Sequence, residues 1–149
     1  MSEVWFYHLQ GRPMEQTLPV LVERSRERGW RVMIRAGSAE RLAALDDLLW
    51  TYDEASFLPH GLASDVNPET QPVLLTTGEA RANSADILFL VDNAAMPADL
   101  PYARVVMLFD GADEDALAAA RTTWKQVKGE GHTVTYWQQD DAGRWQKKA

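Results

Sequence analysis

The sequence predicts an α/β protein built on a mostly parallel sheet. Two observations carry this: short apolar segments alternate with segments of helical periodicity, and those apolar segments are nearly continuous. Strands buried on both faces should look this way. With 149 residues, one domain spanning 1–149 is expected, large enough to bury roughly 68–70% of its unfolded surface.

Glu3-Val4-Trp5-Phe6-Tyr7-His8-Leu9 reads as a buried first strand. Met14, Leu18, Leu21, Val22 and Ser25 then recur on one helical face, and Gly29 supplies the stop. Pro19 leaves two starts open, one near Pro13 and one just before Pro19 with Thr17 near the cap. Trp30 to Arg35 is a second strand, and the strand–helix–strand unit implies parallel pairing. Ser38 is the expected N-cap of a second helix with Leu42, Leu45, Leu48 and Leu49 on its buried face, ending near Trp50-Thr51-Tyr52.

Ser56 to Gly61 is too short and interrupted for a helix, and Leu62 to Gln71 reads as a surface loop. Three further strands follow at Gln71–Leu75, Ile87–Val91 and Arg104–Phe109. Gly111 to Lys128 is the longest helix, and Thr133 to Trp137 a last parallel strand. The turn signal at Asp140 to Gly143 predicts a hairpin that pairs Trp145 with Trp137.

Composition excludes several chemistries. Cysteine is absent, which removes disulfides, thiol nucleophiles and cysteine metal sites. The histidines, His8, His60 and His132, lack the close spacing of a metal motif. No apolar run approaches the ~18 residues of a membrane helix, and the N-terminus lacks the regions of a signal peptide. A cytoplasmic protein is expected. Its net charge of −7 opposes autonomous binding to nucleic acid.

The nucleotide fingerprints fail. After the first strand, Gln10-Gly11-Arg12-Pro13 offers one glycine and then a residue without a donor, and neither phosphate-cradling glycine pattern occurs. Clustered acids from Asp110 to Asp115 follow a buried strand. Asp110 and Asp113 could hold magnesium for phosphotransfer, but acids at a helix start also cap it and offset its dipole. His60 has no serine–acid partner spaced for a triad.

Positions of charge are more informative than their sum. All four lysines, Lys125, Lys128, Lys147 and Lys148, fall in the last quarter of the chain. On the long helix Arg121, Lys125 and Lys128 share one face, beside an apolar seam of Leu117, Ala120, Trp124 and Val127. At about 100° per residue the two stripes are centred roughly 80° apart. A ligand both acidic and hydrophobic would suit that border, although cations near a helix C-terminus also favour the dipole. Direct DNA contact through the same three cations is a further alternative. Trp50, Tyr52, Phe57 and Pro59 form an aromatic patch around a turn, either a partner anchor or a satellite core.

Phe6-Tyr7-His8-Leu9 resembles the opening strand of the chi subunit of bacterial DNA polymerase III holoenzyme. So do Leu45-Asp46-Asp47-Leu48-Leu49-Trp50 and the following Ser56-Phe57-Leu58-Pro59-His60-Gly61, the specific part of the likeness. Gln71-Pro72-Val73, Phe109-Asp110-Gly111 and Ala120-Arg121-Thr122-Thr123-Trp124-Lys125 complete it, in order along nearly the whole chain. The resemblance implies a Rossmann-like sheet with helices on both faces and no working nucleotide site. It implies a non-catalytic replication adaptor, without cofactor or metal, that reaches DNA only indirectly. Such adaptors bind the acidic, hydrophobic C-terminal tail of single-stranded-DNA-binding protein and join it, through a psi subunit, to the clamp loader. Arg121 and Lys125 match the family's tail-engaging residues, with Trp124 offering an apolar slot and Lys128 extending the patch. Trp50 and Phe57 match residues associated with partner-subunit binding.

Overall fold

The computed structural model describes residues 3–9, 14–51, 60–62, 68–78, 83–91, 94, 96–97, 102–140, 142 and 144–148. Within them eight strands form one sheet: β1 (Glu3–Leu9), β2 (Val32–Arg35), β3 (Gly61–Leu62), β4 (Val73–Thr76), β5 (Ile87–Leu90), β6 (Arg104–Asp110), β7 (Thr133–Gln139) and β8 (Trp145–Lys147). Helices α1 (Met14–Glu27), α2 (Ala39–Thr51) and α3 (Glu114–Gly129) connect them. The strand order is β3-β4-β2-β5-β6-β1-β7-β8, parallel throughout except for the β7–β8 hairpin. The expected mostly parallel, Rossmann-like α/β architecture is the one observed.

Strand alternation sorts the core into two layers. Tyr7, Leu9, Val32, Ile34, Phe89 and Leu108 face α1 and α2, packing on Leu18, Val22, Leu45 and Leu49. On the other face Val4, Phe6 and Phe109 meet Ala116, Ala120 and Val127 of α3. Met33, Leu74, Leu88 and Val105 continue that layer beneath Ala94 and Tyr102. Helices therefore cover both faces.

Local chemistry sets the helix ends. Ser38 caps α2, its hydroxyl accepting from the Arg41 amide at 3.3 Å and its carbonyl from Leu42 at 3.0 Å. At the end of α1, Trp30 N–H donates to Ser25 O and Gly29 N–H to Arg26 O, with Gly29 at φ 82°. These paired bonds form a Schellman motif, which needs a left-handed residue at that point. α3 closes identically: His132 N–H meets Val127 O, Gly131 N–H meets Lys128 O, and Gly131 takes φ 88°. Pro19 lies inside α1, so the start just before Pro19 is not adopted.

Three expectations are corrected. β1 and β2 are parallel but not neighbours; β5 and β6 lie between them. All four residues of β5 are buried, and such strands gain most at the centre of a sheet covered on both faces. Trp145 pairs with Gln139, while Trp137 faces Lys147. The turn decides this register. Asp140 Oδ1 accepts from the amides of Ala142 and Arg144, both at 2.9 Å, while Asp140 N–H donates to Arg144 O at 2.8 Å. Closing the turn at 140 and 144 forces 139 opposite 145. Finally, Gly61–Leu62 forms a short edge strand on β4 where the sequence suggested loop.

Candidate functional site: the α3 face

α3 begins where β6 ends. Asp113 is its N-cap, with its carboxylate accepting from the amides of Asp115 at 3.0 Å and Ala116 at 3.2 Å. Asp110 Oδ1 accepts from the Ala112 amide at 2.9 Å. Both acids considered for magnesium thus engage the backbone of the turn into α3. Among the described residues no group of three or more His, Asp or Glu side chains is placed to hold a metal ion.

Ala116, Ala120 and Val127 bury the inner face of α3, while Arg121, Lys125 and Lys128 are exposed. Leu117 and Trp124 are half-buried at the border between these faces, as the offset stripes predicted. The Trp124 ring sits edge-on to Phe6 at 5.5 Å and to Tyr136 at 5.8 Å between centroids. Lys128 Nζ lies 5.8 Å from the Trp124 centroid, within cation–π range.

Beyond Trp124 the flank continues into a pair of residues that the sequence reading did not bring together. His8 Nδ1 and the Tyr136 hydroxyl are 2.7 Å apart, and both rings contact Phe109. Burial pushes the His8 pKa down; the Arg121 charge lowers it further, while Asp110 opposes both. Burial raises the Tyr136 pKa, and Arg121 works against that rise. Arg121 therefore acts electrostatically on the His8–Tyr136 pair. The signal in the sequence was alternation: His8 shares the strand face of Val4 and Phe6, and the β6–α3–β7 crossover brings Tyr136 beside it.

Gly111 makes this corner possible. Its amide donates to Leu9 O at 2.9 Å, and a Cβ there would collide with the His8 imidazole. On the opposite flank of α3, Ala116, Ala119, Ala120, Thr123, Met96 and Met107 surround an apolar hollow of about 330 Å³.

His60 serves structure. Its side chain is fully buried, and Nε2 faces two acceptors, Asp46 Oδ1 at 3.0 Å and Asp46 O at 3.3 Å. Nε2 must carry the proton it donates, and the contact ties the start of β3 to α2. Trp50 is in α2, but its side chain lies outside the described residues, as do Phe57, Tyr52 and Pro59.

A Rossmann-like sheet with exposed cations bordering an aromatic helix flank defines the class as an α/β protein with a basic, partly apolar face on α3. Comparison with known proteins makes the class specific. Residues 1–135 match the family model of the DNA polymerase III chi subunit, HolC, and the chain belongs to that family. It is 28% identical over 139 residues to the DNA polymerase III subunit chi of Pseudomonas aeruginosa, covering 90% of this chain and 94% of that protein. It is 25% identical over 91 residues to the probable DNA polymerase III subunit chi of Rickettsia prowazekii, covering 61% of this chain and 55% of the relative. Its role is that of a replication accessory subunit.

Proposed function

We propose that the chain is a non-catalytic adaptor whose α3 face binds the acidic, hydrophobic C-terminal tail of single-stranded-DNA-binding protein. Arg121 and Lys125 beside the half-buried Trp124 carry this reading. A tail ending in aspartate and phenylalanine needs cations for its carboxylates and an apolar edge for its ring. Lys128, above Trp124, extends the patch. Trp50 and Phe57 dock a psi-type subunit that joins the clamp loader, in the cytoplasm, and DNA is reached indirectly through the coated strand. The chain works as one unit over residues 1–149.

Exposed charge pairs contribute about 0–1 kcal/mol each and partly desolvated ones ~1.5–3, so one tail contact is weak. Tethering makes it useful, because the second contact within an assembled replicase becomes intramolecular. Calorimetric titration of a synthetic tail peptide tests the reading. Saturable binding that needs the terminal residue and weakens about 5- to 30-fold in Arg121→Ala, roughly 1–2 kcal/mol, is expected. Absence of binding at about millimolar peptide would remove it. Thermal stability should not depend on magnesium; a magnesium-dependent rise would instead favour chemistry at Asp110 and Asp113.

A further inference from the structure

In an open α/β sheet, ligands favour the carboxyl ends of neighbouring strands whose connections leave on opposite faces. This sheet has such a point between β1 and β6, where α1 and α3 diverge and His8 packs against Gly111. It has another between β2 and β5. From β2 the chain enters α2, which packs on the face of Ile34 and Phe89. From β5 it passes Ala94 and Tyr102, which pack on the opposite face with Met33 and Leu88.

Arg35 is the last residue of β2 and stands at this second point. By strand alternation it shares the face of Met33, and its register partners are Thr76 on β4 and Leu90 on β5. Only 4% of Arg35 is exposed, and its Nε and Nη2 are buried without a hydrogen-bond partner. These nitrogens share one edge of the guanidinium, where their N–H bonds run parallel as a bidentate fork. Among the described residues no carboxylate forms an ion pair with it. A guanidinium keeps its proton at any working pH, and a buried charge without a partner is costly. Thr76 is buried as well. Its hydroxyl accepts from the Gly78 amide at 2.9 Å, which leaves the hydroxyl proton to donate.

We propose that Arg35 and Thr76 bind a phosphate group at this edge of the sheet. The fork takes two of its oxygens, and the threonine hydroxyl, offered from the neighbouring strand, takes a third. A tetrahedral oxyanion suits a planar fork with a donor beside it, whereas a carboxylate would use the fork alone. Free phosphate and the phosphate of a nucleotide present the same oxygens. Arg35, Leu90, Met107, Phe6 and Tyr136 stand in one register row. Four strand spacings therefore separate Arg35 from the α3 flank at Tyr136, ~19 Å, and the proposal is independent of the tail reading.

Titration of the full chain with inorganic phosphate, followed by the Arg35 Nε–H signal in proton–nitrogen NMR, tests it. A saturable shift of that signal and of the Gly78 amide is expected. Phosphate at about five times its dissociation constant should also raise the melting temperature by about 2–4 °C. Sodium chloride at matched ionic strength corrects for the general effect of salt. Arg35→Met should abolish the thermal response. The NMR titration needs only the parent chain, so it decides the matter even where Arg35→Met fails to fold. Deoxythymidine monophosphate distinguishes the sources: a midpoint below that of phosphate assigns the site to a nucleotide, an equal one to the free ion. An unmoved Nε–H signal, an equal response to acetate, or a phosphate response that persists in Arg35→Met would overturn the proposal.

Discussion

His8 shows how one residue can report on the site. It is partly buried against Phe109 and Tyr136, and both its burial and the Arg121 charge disfavour the imidazolium. Its pKa therefore lies below the ordinary 6.5, and Arg121→Ala should move it upward, read by NMR titration of the ring. No movement would mean that Arg121 does not act on this flank. The sign for stability follows: as pH falls below 6.5 the unfolded chain takes up the proton first. Stability then declines until His8 itself protonates, and His8→Gln should remove that part of the acid sensitivity. Gly111 tests the same corner sterically. Gly111→Ala drives a methyl into the imidazole and should cost about 1–3 kcal/mol. In a His8→Ala background the cost should shrink, and a double-mutant cycle by urea unfolding measures the coupling.

At the scale of elements, α3 depends on its first turn. Asp113 satisfies two amides that the helix leaves unpaired, so Asp113→Ala should lower stability by about 0.5–2 kcal/mol without changing the urea m-value. Asp113→Asn, which retains an acceptor, should lose less. This separates capping from a metal role, because Asn satisfies the amides but supplies no charge. Much of this level was legible in advance. The buried faces of α1 and α2, the Ser38 cap and the stop at Gly29 all follow from residue spacing and local bonding. The short β3 was not legible, because a two-residue edge strand has no periodicity to read; its pairing with β4 is tertiary. The hairpin was legible but its register was not, because Asp140 sets the register through three bonds around a turn.

For the whole molecule, the sheet separates two packing layers. Val4, Phe6 and His8 of β1 belong to the α3 side, and Trp5 and Tyr7 to the side of α1 and α2. Tail binding at exposed Arg121 and Lys125 should weaken as ionic strength rises from about 0.05 to 0.2 M, since surface charges are screened over roughly 10 Å at 0.1 M. Calorimetry in two salt concentrations checks this. An affinity insensitive to salt would place the tail in an apolar seat, such as the hollow beside Ala119 and Met107, instead of on the basic stripe.

The sequence by itself determined the α/β class, the chi resemblance and the basic stripe on the long helix, because each depends on residues close together along the chain. A stripe needs only helical spacing, and a cap only its neighbouring amides. The tertiary structure alone decided the strand order, the seat of His60 on Asp46 and the His8–Tyr136 pair. Each of these joins residues from different elements, and their proximity is set by how helices pack strands into one sheet. Local periodicity carries no information about that packing.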